Sequence, residues 1–370
     1  MITLILKTTD GCNLRCRYCS IGEKNSRFST MSLETMKLAG DYVIKKLRIQ
    51  NDKSLRIIFH GGEPTLISPV VYRNFIDYMY AQCEGISLSF SIQTNAYQIT
   101  DDFMELIEKY KISVGVSIDG SKNVHDSMRL SVSGHGTYDK VTENMVRMKR
   151  AGINVSALVV VSSELMKEDL SYINFFNYHC INLKLNPLLK MGEAEKNEYT
   201  VPEAGSYAEY IILVYKYMLE NEIEIDIRPI SDIFNAIVND RNMYECSYRD
   251  VCGKNIISID YNGDIYPCGR FGNVAESCMG NIKNEKLNFN VPCLVKQEEE
   301  CRKCRWIKWC NGGCDAYSYL SGTKQTPLCL DNRILFEFFS GDGIDEYIKY
   351  LKKRRGYLEE RLGVGGSKNV

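Results

Sequence analysis

The sequence predicts an α/β protein: a partial (β/α)6 barrel, followed by a smaller cysteine-rich region and a carboxyl-terminal helix. Three observations lead there. Strand-like runs at 4–8, 55–60, 87–94, 113–119, 155–161 and 182–187 alternate with helically periodic segments at 33–47, 69–82, 100–109, 138–151 and 169–178. Alternation of this kind implies parallel strands joined by helical crossovers. Motifs rich in glycine, cysteine and polar residues follow the strand-like runs, where a barrel carries its reactive loops. Most of the 15 cysteines gather at two places, 12–19 and 246–329.

Composition narrows the function. With 370 residues, 44% of them hydrophobic, the chain can bury one large domain and a smaller one. A formal net charge of −1 leaves no basic footprint for nucleic acid. No apolar run approaches the ~20 residues of a membrane span, and Met1 leads straight into apolar residues without the basic region of a signal peptide. Cysteines in a chain without an export signal argue for metal or cluster ligation over disulfides. The expected location is therefore a reducing cytoplasm, with neither membrane nor nucleic acid as a partner.

Taken in order, the first strand-like run feeds Cys12, Cys16 and Cys19, spaced C-x3-C-x2-C with Tyr18 before the last cysteine. Three thiolates hold three irons of a four-iron cluster and leave the fourth open to a small molecule, since a closed cluster takes four. The same spacing also suits a zinc knuckle. His60, Gly61, Gly62, Glu63 and Pro64 follow the second run. Paired glycines admit a close ligand and Glu63 can accept from an ammonium, although a glycine-rich turn before a helix reads the same way. Ser91–Ala96 closes the third run with alternating polar side chains, and Ser117–Gly120 closes the fourth, with His125 and Arg129 just beyond. Arg129 has the planar fork that pairs with a carboxylate, or with a surface acid; His125 has no evident role. Residues 200–240 read as two helices that bridge to a second domain near Arg241.

These motifs together resemble the radical S-adenosylmethionine (radical SAM) enzymes. The resemblance implies a TIM-like barrel over 1–235 whose three motif cysteines bind a [4Fe-4S] cluster with S-adenosyl-L-methionine (SAM) on its open iron. Tyr18, Gly61, Gly62, Glu63, Ser117 and Arg129 would then contact SAM, with the glycine–glutamate motif on its amino group and Ser117 and Arg129 on its carboxylate.

The second block comprises Cys252, Cys268, Cys301, Cys304, Cys310, Cys314 and Cys329, with Cys246 as an eighth thiol. Its order resembles the SPASM domain of many radical SAM enzymes, placed here at 241–335. Eight thiolates satisfy two closed [4Fe-4S] clusters, and zinc ribbons offer the same arithmetic. By resemblance to the anaerobic sulfatase-maturating enzymes, Cys246, Cys252, Cys268 and Cys314 hold one auxiliary cluster, and Cys301, Cys304, Cys310 and Cys329 the other, three in all. Cys278 and Cys293 could substitute as ligands, while Cys83 and Cys180 read as buried small hydrophobes. A hairpin at 256–259 and 264–266, with a type I′ turn at Asn262–Gly263, would deliver Cys268. Residues 332–362 are helical in pattern, 336–362 forming the terminal helix, and 363–370 are expected to be disordered.

The chemistry implied is reductive cleavage of SAM to a 5′-deoxyadenosyl radical that takes hydrogen from a peptide or protein side chain. The implied partners are a peptide or protein substrate, a one-electron reductant of flavodoxin or ferredoxin type and, where a leader is used, a separate leader-binding protein. Sulfatase maturases carry an Asp after the cysteine of their Tyr-Pro-Cys segment, a Gln before Gly-Gly-Glu-Pro, and a Tyr two residues after the third motif cysteine. This chain has Gly269, His60 and Ile21 at those places. The departures favour cross-link formation, C–C or thioether, in a ribosomally synthesised peptide (a RiPP maturase) over formylglycine formation. His60 and Arg270 are candidate substrate-pocket residues. A non-enzymatic iron–sulfur carrier would explain the second block but leave Gly61–Glu63, Ser117 and Arg129 idle.

Overall fold

The computed structural model describes the chain apart from residues 22–27, 198–199, 273, 285–298 and 363–370, and apart from the side chains of 342 and 354–362. Twelve strands are described: β1 (Ile2–Lys7), β2 (Leu14–Cys16), β3 (Ser54–His60), β4 (Ser87–Thr94), β5 (Ser113–Ser117), β6 (Arg129–Ser131), β7 (Val155–Val161), β8 (Asn182–Pro187), β9 (Ile227–Arg228), β10 (Ile256–Asp260), β11 (Asp264–Tyr266) and β12 (Gly280–Asn281). One open ten-stranded sheet runs β12-β11-β10-β1-β3-β4-β5-β7-β8-β9, parallel from β10 to β9. The six strands expected from sequence form its middle in chain order, with the helices between them, as a partial barrel requires.

Period-two burial shows how the sheet is dressed. Leu4, Leu6, Leu55, Ile57, Val114, Val116, Leu183 and Leu185 are buried and belong to the main apolar core with Tyr42, Phe59, Tyr72 and Phe75. Their neighbours Ile5, Ile58, His60, Gly115, Ser117, Leu158 and Lys184 are half-buried on the opposite face, which in a curved sheet is the barrel interior. Caps agree with the sequence: Ser32, Ser68 and Thr100 each accept a backbone N–H at the start of the helices Leu33–Gln50, Pro69–Gln82 and Asp101–Lys109.

The sequence does not address where the hairpin of the cysteine-rich region docks: β10 pairs in parallel with β1 (Thr3 with Ile256 through Lys7 with Asp260), so it extends the barrel sheet. Three differences from the sequence expectations stand out. The hairpin turn is not type I′. Gly263 has φ +97° but Asn262 is absent from the positive-φ residues, and the Gly263 N–H donates to the Asp260 carbonyl over 2.8 Å; this is the turn plus left-handed residue of a bulged hairpin. The terminal helical stretch is two helices, Cys329–Ser340 and Asp342–Leu362, broken at Gly341. Cys180 is exposed at φ +52°, following the helix Tyr172–Tyr178, while Cys83 is buried as expected. The tail 363–370 lies outside the described residues. Among the described residues no helix is long and apolar enough to cross a membrane.

Candidate active site and auxiliary cysteine centres

The loop carrying Cys12, Cys16 and Cys19 is held from both sides. From β3, the Gly62 N–H donates to Thr9 O (2.8 Å) and the Glu63 N–H to Gly11 O (2.7 Å), while the Thr8 N–H donates back to His60 O (2.9 Å). Gly61 has φ +139°, and a Cβ there would strike the Thr9 carbonyl oxygen, so the first glycine is needed for close backbone approach. From beyond β8, the Glu193 N–H donates to Cys19 O (3.0 Å) and Asn197 Nδ2 to Arg17 O (2.9 Å).

Glu63 is buried, and its carboxylate accepts four hydrogen bonds from protein donors. Oε1 accepts from the Thr65 N–H, Thr65 Oγ1 and Thr94 Oγ1 (3.1, 2.8 and 2.6 Å), and Oε2 from the Asn95 N–H (2.7 Å). Burial raises its pKa and these donors oppose the rise. The side chain therefore ties the motif to β4, and it is the backbone of 61–63 that lines the cysteine loop.

Arg129 is positioned by an element that local periodicity does not reveal. β2 and β6 form a short antiparallel ribbon that sets Cys16 opposite Arg129. Arg129 Nε donates to Asp119 Oδ2 at 3.0 Å, and Nη1 lies 3.9 Å from Cys16 Sγ. Its guanidinium carbon lies 5.2 Å from the Tyr18 ring centroid, and the Tyr18 hydroxyl donates to the same Asp119 oxygen. Burial pushes the Cys16 thiol up to about 12, with Arg129 pulling the other way. His125 supports this arrangement from behind. Its Nδ1 accepts the Asp119 N–H (3.3 Å), so Nε2 carries the proton to Thr137 Oγ1 (3.0 Å), which donates to Arg129 O (2.8 Å). Burial lowers His125 to about 4, keeping it neutral.

On the barrel interior, Ser117 Oγ accepts from Gln93 Nε2 (2.9 Å), and Gln93 lies across Gly115. Asn95 Nδ2 reaches Asn13 Oδ1 (2.8 Å) and approaches Cys12 Sγ (3.7 Å), which also faces the Leu14 N–H (3.4 Å). Lys7 is in register with both Asp260 and His60 across β10, β1 and β3, so the three stand in one row on one face. Lys7 Nζ is 3.5 Å from Asp260 Oδ1, both side chains about one-tenth exposed. A Cβ at Gly269 would lie 3.7 Å from Lys7 Cε, and one at Gly272 would collide with Lys7 Nζ. Sequence reasoning misses Lys7 and Asp260, and gives no individual role to Gln93, Asn95 and Asp119 although they fall within the stretches 91–96 and 117–120 it singles out. The only signal they carry is position at or near a strand's carboxyl end.

The second block gathers as two groups. Cys252 and Cys268 share a hydrogen bond, with Cys314 and Cys246 close enough to act on them electrostatically. Cys268 and Cys314 lie buried in a small apolar cluster with Leu189, Tyr266, Phe271 and Ala316. Cys301, Cys304, Cys310 and Cys329 line a cavity of about 120 Å³ together with Trp306, Asn332 and Phe336, and Asn332 Nδ2 approaches Cys310 Sγ at 3.6 Å. Four thiols around open space fit a multi-atom cluster, because a single zinc draws its sulfurs to about 2.3 Å. Among the described residues no group of His, Cys, Asp or Glu is gathered tightly enough for one ion. Cys278 points at the Gly280 carbonyl (3.5 Å), and Cys293 lies outside the described residues. Arg270 stands beside the first of these groups. Its guanidinium lies 4.6 Å from the Tyr317 ring centroid, beside Cys246, Cys268 and Cys314.

Comparison with known proteins bears on the family and the fold. Residues 6–175 match the Radical SAM superfamily. The cysteine-type anaerobic sulfatase-maturating enzyme of Clostridium novyi (strain NT) is 24% identical over 353 residues, which cover 90% of this chain and 94% of that protein. Native anSMEcpe with bound AdoMet and Cp18Cys peptide has the same fold, with TM-score 0.78 at 23% identity, covering 92% of this chain and 97% of that one. Streptococcus suis SuiB bound to precursor peptide SuiA gives TM-score 0.60 at 17% identity over 90% of this chain and 75% of that one. The chain is an enzyme with a radical SAM domain over residues 6–175, and that family implies a [4Fe-4S] cluster and S-adenosyl-L-methionine as cofactors.

Proposed function

We propose that this enzyme modifies a side chain of a peptide substrate, forming a C–C or thioether cross-link in a ribosomally made peptide. When bound, the cluster and SAM supply the 5′-deoxyadenosyl radical that takes the substrate hydrogen. Cys12, Cys16 and Cys19 hold that cluster, with Arg129 and Asp119 beside Cys16 and Asn95 beside Cys12. Tyr18, the Gly61–Glu63 backbone and Ser117 line the SAM position. The row Asp260–Lys7–His60 forms the substrate side of the lumen. Cysteines within 241–335 hold two auxiliary clusters in the groups described above.

The observation that carries this reading over formylglycine formation is Gly269. It offers no carboxylate after Cys268, and the nearest side chain to its Cβ position is Lys7. The sulfatase-maturase reading is supported by the end-to-end match with the Clostridium novyi enzyme. Both share peptide modification, which is what anSMEcpe and SuiB have in common through their bound peptides.

Anaerobically reconstituted protein, SAM and a flavodoxin- or ferredoxin-type reductant should release 5′-deoxyadenosine. Replacing Cys12, Cys16 and Cys19 by Ala should abolish release and lower iron from about 12 to about 8 per chain; persisting release sinks the assignment. Mass spectrometry then separates the two readings. Loss of two hydrogens from a short peptide encoded beside this gene supports cross-linking, whereas formylglycine in the Cp18Cys peptide supports sulfatase maturation.

A further inference from the structure

The reduction potential of an iron–sulfur cluster depends on the net charge around it, on hydrogen bonds to its sulfurs and on solvent exposure. The two thiol groups nearest the barrel differ in the first of these. Beside Cys16, the Arg129 charge is neutralised by Asp119 at 3.0 Å. Beside Cys268, Arg270 follows directly in the short turn Gly269–Phe271, and among the described residues it has no carboxylate within ion-pair distance. Arg270 acts electrostatically on Glu245, whose carboxylate is bound to Lys184 Nζ at 2.7 Å, so that pair is neutral as a unit.

The surroundings magnify the difference. Cys268 and Cys314 are each only 6% exposed, in the apolar cluster with Phe271 and Tyr317, and a charge acts more strongly where water is excluded. Backbone N–H groups of Arg270 and Phe271 point at Cys268, and those of Ala316 and Tyr317 at Cys314. Packing against the Tyr317 ring fixes the guanidinium in place. A guanidinium does not lose its proton in a protein, so the charge is permanent.

We propose that Arg270 is a fixed, uncompensated cation that raises the reduction potential of the cluster held by Cys246, Cys252, Cys268 and Cys314. The inference rests on the auxiliary-cluster reading above and gives Arg270 an electrostatic role instead of a substrate contact.

The test is a redox titration of the full-length, anaerobically reconstituted protein followed by electron paramagnetic resonance. The signal lost in Cys268→Ala is taken as that of this site. At the wild-type midpoint, Arg270→Gln should shift the reduced-to-oxidised ratio at least tenfold toward oxidised, about 59 mV for one electron. Arg270→Lys should stay within about twofold, because it keeps the charge, and the other signals should not move. A change below about twofold in Arg270→Gln, or an equal shift of every signal, overturns the proposal. Should Arg270→Gln lose iron, Glu245→Gln provides the reverse test. Because Glu245 itself touches Cys246 Sγ, its midpoint shift is read with and without Arg270→Lys. Arg270→Met, which removes the charge and keeps the stem, must then lower the midpoint as Arg270→Gln would, and an unmoved or raised midpoint overturns the proposal. Iron confined to the Cys12, Cys16 and Cys19 site would instead overturn the auxiliary-cluster reading, and this inference with it.

Discussion

Asp119→Asn tests the assembly of the SAM-binding end most directly. Asp119 is 1% exposed and Arg129 is 7% exposed, so the pair sits where removing one partner strands the other. Breaking a buried ion pair from one side costs about 3–5 kcal/mol. Asp119 Oδ2 also accepts the Tyr18 hydroxyl, and Oδ1 accepts the Val160 N–H at 3.3 Å. Asn keeps the shape and the Val160 bond but puts an NH2 where Oδ2 stood, so the loss reflects the charge together with the acceptor shared by Arg129 Nε and the Tyr18 hydroxyl. In cluster-free, reduced protein unfolded by urea, Asp119→Asn should cost about 3–5 kcal/mol. Arg129→Met should cost a similar amount. The double variant should fall short of their sum by about 2 kcal/mol or more, because the second change removes a charge already stranded. Tyr18→Phe should cost about 1.5–3 kcal/mol, a hydrogen bond to a charged group. A single Asp119→Asn loss within about 0.5 kcal/mol, or strict additivity in the cycle, would refute the reasoning.

Three further outcomes follow from the same structure. His125 is held near 4 by burial against about 6.5 unfolded. The unfolded chain therefore takes up the proton first, and stability should fall by up to about 3 kcal/mol as pH drops from about 6.5 to about 4; His125→Gln should flatten that limb of the urea-midpoint profile. Gly61→Ala drives a Cβ into Thr9 O at φ +139°, and should cost at least about 2 kcal/mol with loss of iron from the SAM site. Wild-type iron content and stability would count against the close approach. Lys7→Met strands Asp260, whose pKa burial already raises, and should destabilise by about 3 kcal/mol, while Lys7→Met with Asp260→Leu should recover most of it. A double variant as unstable as the single would remove the pair from the lumen's account.

Sequence alone determined what repeats locally. The strands at 87–94, 155–161 and 182–187 and the helix at 69–82 fall where the apolar period put them, because each must bury one face against its neighbours. The spacing of Cys12, Cys16 and Cys19 could also be read directly, since loop length bounds which sulfurs can meet. Only the tertiary structure decided what meets across the chain. The β2–β6 ribbon sets Arg129 against Cys16, Asp119 neutralises it, and β10 docks on β1 to align Asp260, Lys7 and His60. It also set the Arg270 guanidinium against Tyr317, beside Cys246, Cys268 and Cys314. Those contacts depend on register and on the order in which distant strands pair. Local periodicity does not encode either, since a slip of one residue in β10 would keep its apolar alternation and turn Asp260 to the opposite face.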